Sequence, residues 1–262
     1  MRIKNIWPAT RFERFSQRRG ITLIEMLAVI VIFAALFSIL VPALSSAKGR
    51  AGEVACLSHI RQSGLDLFAH AAENKGFMAA PERVLDASAP NGAPWGAIRF
   101  EGEDVIIPFV SVKGLWPALL VDHHADLSNH LTCSGMRTED DFLNLASTSH
   151  GHNDIESGVV IPSTYVYSSS FLAPPAYFDP TEPDVSTVGA QQWSSVAHPS
   201  KKIVLYEDVV VHRTGQPESP LWTPMGNTVF LLSDGHAAAR SVFDVQSPVP
   251  AYTHWGVHGR DF

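Results

Sequence analysis

The sequence predicts an α+β chain, with a long N-terminal helix whose first half is apolar enough to cross a membrane. Its second half packs on a C-terminal antiparallel sheet with long loops. Three observations carry this. Residues 21–44 hold a single charge, Glu25. Beyond them, apolar residues recur at three- and four-residue steps, the period of an amphipathic helix. Short runs rich in Val, Ile, Phe and Tyr, bounded by turn residues, then recur through the rest of the chain.

Fifteen of residues 21–44 are Leu, Ile, Val or Phe, which favours insertion by about 4 to 9 kcal/mol. A carboxylate near the middle of the bilayer opposes this by about 3 kcal/mol, and by less near an end. Insertion wins, and 24 helical residues reach about 36 Å, enough to cross the hydrocarbon. Residues 1–20 carry six basic groups and one acid, Glu13. Of 19 basic and 26 acidic groups in the chain, 13 and 25 remain for the rest, a net of −12. The basic end predicts a cytoplasmic N-terminus and an exported body, periplasmic if the membrane is the inner one. So acidic a body lacks the clustered cations that nucleic-acid phosphates need. A secretory signal has a shorter apolar core, although Ser45-Ser46-Ala47 has the small residues of a cleavage site.

The helix continues past the membrane. Leu57, Ile60, Gly64, Phe68 and Ala71 form an apolar stripe with Val54, Leu65 and Leu67 beside it. Asn74-Lys75-Gly76 is a stop signal. Three segments follow: a basic leader 1–20, a long helix 21–75 that is transmembrane over 21–44, and an exported globular domain 76–262. Pro42 removes a helical donor and predicts a kink.

In the body, residues 80–96 read as a Pro-, Ala- and Gly-rich loop. Strands are expected at 105–112, 158–168, 203–211 and 228–233, a short helix at 115–127, and surface loops at 173–184 and 217–224. Asp234-Gly235 is the pair that suits a type I′ hairpin turn, with His236 opening the return strand. Cys56 and Cys133 are the only cysteines. They fit either a disulfide in an oxidising compartment or two buried thiols. Histidines cluster at His123, His124 and His130, at His150 and His152, and at His254 and His258. None has an established ligand spacing, so solvated loops are expected and no metal. Asp179, Glu182 and Asp184 are the nearest approach to a calcium loop, but lack its glycine punctuation. No phosphate loop, nucleophile elbow or dinucleotide fingerprint occurs, and no cofactor is implied.

Arg18-Arg19-Gly20 followed by Ile21-Thr22-Leu23-Ile24-Glu25 resembles the processing signal of type IV pilins and type II secretion pseudopilins. The family usually has Phe where this chain has Ile21. The resemblance implies cleavage after Gly20 and N-methylation of Ile21 by a prepilin peptidase/methyltransferase. It assigns Glu25, with Thr22, to assembly with other pilin or pseudopilin subunits. Physics agrees: a new amine at Ile21 would meet Glu25 of its own or a neighbouring helix, and in low dielectric such a pair outweighs either charge alone.

Further islands resemble pilin-like proteins of planctomycete- and verrucomicrobia-type bacteria. These are Pro42-Ala43-Leu44 through Lys48, Cys56 through Gly64, His198 through Ile203, and the turn Ser233-Asp234-Gly235-His236. That group's histidine ten residues before the Asp-Gly is Pro224 here.

The expected function is a non-enzymatic structural subunit of a secretion pseudopilus or pilus-like filament, anchored in the inner membrane, with no nucleic-acid partner. The alternatives are a membrane-tethered exported metal-binding protein or enzyme using a histidine cluster, and an uncut single-pass anchor with a ligand-binding ectodomain.

Overall fold

The computed structural model describes residues 21–88, 94–100, 103–108, 116–120, 131, 163–207, 209–210, 219–220, 227–246, 248–249 and 252–262. Among the described residues, one α-helix, α1 (Leu23–Glu73), precedes eleven short strands. Two compact units divide between Ser45 and Ser46. In the first, every described residue is exposed, as expected of a helix built for lipid. Pro42 lies inside α1, which is helical on both sides of it.

In the second unit, residues 46–73 of α1 bury one stripe: Cys56, Ile60, Ser63, Gly64, Leu67 and Ala71. This is the expected stripe turned toward Cys56 and Leu67. Leu57 and Phe68 pack only partly, while Val54 and Leu65 face outward. Ile60, Gly64 and Ala71 of the expected stripe are buried, and small Ser63 joins Gly64 on the buried face of the helix. A Cβ on Gly64 would overlap Leu231 Cδ2. The helix stops as expected: Gly76 N–H donates to Ala71 O at 2.7 Å, with Lys75 at φ 58° and Gly76 at φ 85°. These are the six-to-one bond and left-handed residues of a Schellman cap.

The core sheet is antiparallel, in the order β4 (Tyr165–Tyr167), β5 (Ile203–Glu207), β8 (Asn227–Leu232), β9 (Ala237–Ser241). Tyr165, Tyr167, Leu205, Val229 and Leu231 belong to the same core as Cys56, Ile60 and Leu67 of α1. Tyr165 Oη donates to Cys56 O at 3.2 Å, and Trp116 Nε1 donates to Tyr165 O at 2.7 Å. Val166, Ile203, Tyr206, Phe230, Leu232 and Phe262 form a second cluster. Residues alternate between the two along β4 and β8, as a sheet buried on both faces requires; in β5, Val204 and Leu205 both join the first cluster, where the register with β8 shifts. Phe262 meets Phe230 edge-on at 5.3 Å, and Arg240 lies 4.5 Å over the Phe262 ring.

Several expectations are corrected. Residues 80–96 are not one loop: β1 (Glu82–Ser88) and β2 (Pro94–Phe100) pair there, and β2 pairs with β3 (Glu103–Pro108). Composition concealed the strand residues on either side of the Pro- and Gly-containing tip. Within the described parts of the expected strands lie β3, β4, and β5 followed by β6 (Val209–Val210), while residues 109–112, 158–162, 208 and 211 lie outside the described residues. The Pro-rich 217–224 supplies β7 (Ser219–Pro220), which pairs with β6. The expected helix at 115–127 is a 3-10 segment, Trp116–Leu120, with Pro117 near its start and 121–127 outside the described residues. Two further pairs of residues, β10 (Pro248–Val249) and β11 (Tyr252–Thr253), form a ribbon.

Lys202 and Asp261 form a buried ion pair at 3.3 Å, and Asp261 Oδ2 also accepts the Ile203 N–H at 2.5 Å. Burial raises the Asp261 carboxyl from 3.8 to about 6, against the pull of Lys202, and the same desolvation lowers Lys202. The folded value of Asp261 exceeds the unfolded one. Its contribution to stability is therefore full below pH 3.8 and is lost as pH rises through about 6. The urea midpoint of the purified protein in detergent should carry a falling component over that window, and Asp261→Asn should remove it. An identical pH profile in the variant would contradict this. Lys202→Ala, which strands the carboxylate, should cost about 3 to 5 kcal/mol in the same assay. Cys56, wholly buried, is disulfide-bonded. Cys133, the other cysteine, lies outside the described residues. Peptide mapping without reductant should recover a Cys56–Cys133 cross-linked pair, and reduction should lower stability by about 2 to 5 kcal/mol. Recovery of two free thiols would refute the pairing.

Candidate assembly site

The start of α1 is built by four residues. Thr22 precedes the first helical turn, and Glu25 is the third residue within it. Thr22 N–H donates to Glu25 Oε2 at 2.8 Å, and Thr22 Oγ1–H donates to the same oxygen at 2.9 Å. Glu25 N–H donates back to Thr22 Oγ1 at 3.3 Å. This is a reciprocal capping box, in which each residue's side chain satisfies the other's backbone donor. The pattern Thr-x-x-Glu is visible in the sequence, but Glu25 was expected only as a charge for an amine at Ile21 of its own or a neighbouring helix, not as a cap.

The box changes the chemistry assigned to Glu25. Its carboxylate sits at the positive end of the helix dipole and holds two donors from Thr22. That offsets much of the cost of placing it near lipid, without any second chain. Ile21 lies next to the box and is exposed. An amine created at Ile21 would therefore appear beside an already partnered carboxylate. Gly20 and the leader lie outside the described residues.

A second group of singled-out residues meets in the exported domain. Asp234-Gly235 does join β8 to β9, but not as a type I′ turn. That turn needs positive φ at both central residues, and only Gly235 has it, at 82°. Gly235 N–H donates to Leu232 O at 2.9 Å, and Leu232 N–H to His236 O at 2.8 Å. The loop is three residues, a type I turn closed by a left-handed glycine. Asp234 Oδ1 accepts the His236 N–H at 2.9 Å. The turn also docks the stretch 198–203: Ser233 N–H donates to Lys202 O and Asp234 N–H to Pro199 O. Trp193 donates its indole N–H to Ser233 O at 2.7 Å while stacking on Phe68 of α1, 4.4 Å between centroids. Asp234, Gly235 and the backbone of His236 thus build this turn.

No group of three or more His, Cys, Asp or Glu side chains suited to a metal occurs among the described residues. His123, His124, His130, His150 and His152 lie outside them. The two aspartates of the 179–184 loop are occupied locally. Asp179 accepts from the hydroxyl and N–H of Thr181 and from the Glu182 N–H; Asp184 accepts from Ser186 and Thr187. Hydrogen bonds from Thr181 and Ser186 respectively hold both below the usual carboxylate range. These are Asx turns rather than a prepared calcium cradle.

A family model described as the prokaryotic N-terminal methylation motif matches residues 15–41. No curated protein and no solved structure matches the chain. The match covers most of the bilayer-length apolar segment and contains Gly20, Ile21, Thr22 and Glu25. α1 is long and apolar enough over its first half to cross a membrane, and its second half lies on a four-stranded antiparallel sheet. That motif stands at the head of that helix, an arrangement that supports a protein similar to type IV pilins and pseudopilins.

Proposed function

We propose that this chain is a structural subunit, not an enzyme, of a type II secretion pseudopilus or a type IV pilus-like filament. It is made as a precursor held in the inner membrane by residues 21–44, with residues 1–20 in the cytoplasm and residues 76–262 in the periplasm. A prepilin peptidase cuts after Gly20 and methylates Ile21. Other pilin or pseudopilin subunits then pack against α1.

The single observation that carries this reading is the Thr22–Glu25 capping box inside the segment that matches the methylation motif. Before cleavage, the box lets the carboxylate enter the bilayer at low cost. After cleavage, the new cation at Ile21 competes with Thr22 for it. In an assembly the carboxylate can pass from its own helix cap to a neighbour's amine, a stronger partner in a water-poor setting.

The two roles separate by substitution. Glu25→Gln keeps an acceptor for the Thr22 N–H and so keeps most of the cap. Glu25→Ala loses the cap, worth about 1 kcal/mol, as well as the charge. Both should insert into the membrane normally. Both should fail to enter filaments, measured as sheared filament protein against total membrane protein. Filaments formed normally by both variants would sink the assignment of Glu25 to assembly. Filaments formed by Glu25→Gln alone would make it a capping residue only.

A further inference from the structure

Lys202 and Asp261 place a buried amine against a buried carboxyl. The Lys202 side chain is wholly buried and that of Asp261 is 1% exposed, with Nζ 3.3 Å from Oδ1. Their chain neighbours, Ile203 and Phe262, belong to one apolar cluster. Both backbones are fixed around the contact. Asp261 N–H donates to Lys201 O at 2.9 Å, Gln246 N–H to Asp261 O at 2.7 Å, and Ser233 N–H to Lys202 O at 2.8 Å. The two carboxyl oxygens have different settings. Oδ2 accepts the Ile203 N–H, and Oδ1 faces the amine.

We propose that this pair is a site of self-modification, at which Lys202 Nζ and the Asp261 carboxyl condense to an amide that joins the two side chains. Desolvation lowers Lys202 and raises Asp261. Passing one proton from Nζ to Oδ1 therefore gives an uncharged amine, a nucleophile, beside an uncharged carboxylic acid. Nζ attacks Cγ, and the negative charge that develops on Oδ2 falls on the Ile203 N–H. Oδ1 takes a second proton from Nζ, the Cγ–Oδ1 bond breaks, and one water leaves. Well-oriented partners in one molecule gain an effective concentration of about 10⁵ M or more, and loss of two buried charges favours the product. Because the protons pass within the pair, the reaction is slow and the ion pair is its reactant. The pH-dependent stability described above belongs to chains not yet joined. The bond closes a ring from Lys202 to Asp261 that contains β5, β8 and β9 of the core sheet, and so limits how far these strands separate on unfolding. It does not depend on assembly into a filament.

The test uses the full-length protein in detergent, aged either folded or in urea, then reduced, denatured and digested with trypsin. The peptide that begins at Lys202 should carry on its Nζ the peptide that begins at Asp261, lighter than their sum by one water. Trypsin should not cut after a joined Lys202. The joined fraction should rise with time in the folded protein and stay absent in urea, where the two residues separate. Lys202→Arg, which keeps the positive charge, and Asp261→Ala should each lose the joined peptide altogether. Complete recovery of free Lys202 from aged, folded protein would overturn the proposal and leave the ion pair. So would a lost water that maps to Asp234-Gly235, where dehydration of an Asp-Gly pair gives the same mass change. Joining that proceeds equally in urea would also overturn it.

Discussion

The approach of Gly64 to Leu231 sets how closely α1 lies on its sheet. With no side chain at 64, the helix backbone reaches β8, and Ile60, Leu67 and Cys56 settle around that point against Tyr165, Tyr167 and Leu205. Burial of this kind contributes about 25 cal/mol per Å² of apolar surface, so the contact outweighs any single hydrogen bond in the domain. It also commits one face of the helix. Whatever else α1 does must be done by its other side, or by the half that the sheet does not cover.

That division of labour explains the composition of one continuous helix. Before Ser46 no described residue is buried and nearly every position is apolar, the composition that a segment crossing lipid needs. After it, apolar residues on the inner side serve the sheet. The lone carboxylate of the first half is admitted by local means: Thr22 supplies two donors and the helix dipole supplies the field. The same geometry leaves it within one turn of the bond that a prepilin peptidase would cut. A cap and a docking charge place similar demands on position 25, namely an acceptor at the third helical residue, close to the terminus. One glutamate can meet both.

Much of this was legible in the sequence because the signals were long or local. The bilayer-length run, the stop at Asn74-Lys75-Gly76 and the β8–β9 hairpin each rest on periodicity or on turn chemistry. What was hidden depends on partners far apart in the chain. Nothing around Lys202 announces that Asp261, 59 residues away, will bury its charge. The β1–β2 hairpin was masked by the Pro- and Gly-containing tip between its strands. The buried stripe of α1 keeps Ile60, Gly64 and Ala71 of the expected one but is turned toward Cys56 and Leu67, in part because Ser63 is polar by composition yet matters by being small. The Thr22–Glu25 box is different. Its pattern was present and local, but the carboxylate had already been assigned to an amine at Ile21.

The central claim is that the Thr22–Glu25 box marks the first turn of a mature helix, released by a cut after Gly20. Intact mass and N-terminal peptide analysis of the protein from its native membrane tests this most directly. The account predicts a chain that begins at Ile21 and carries an N-methyl group. A chain that retains Met1, or one that begins near Lys48 after a conventional secretory cut, would contradict it.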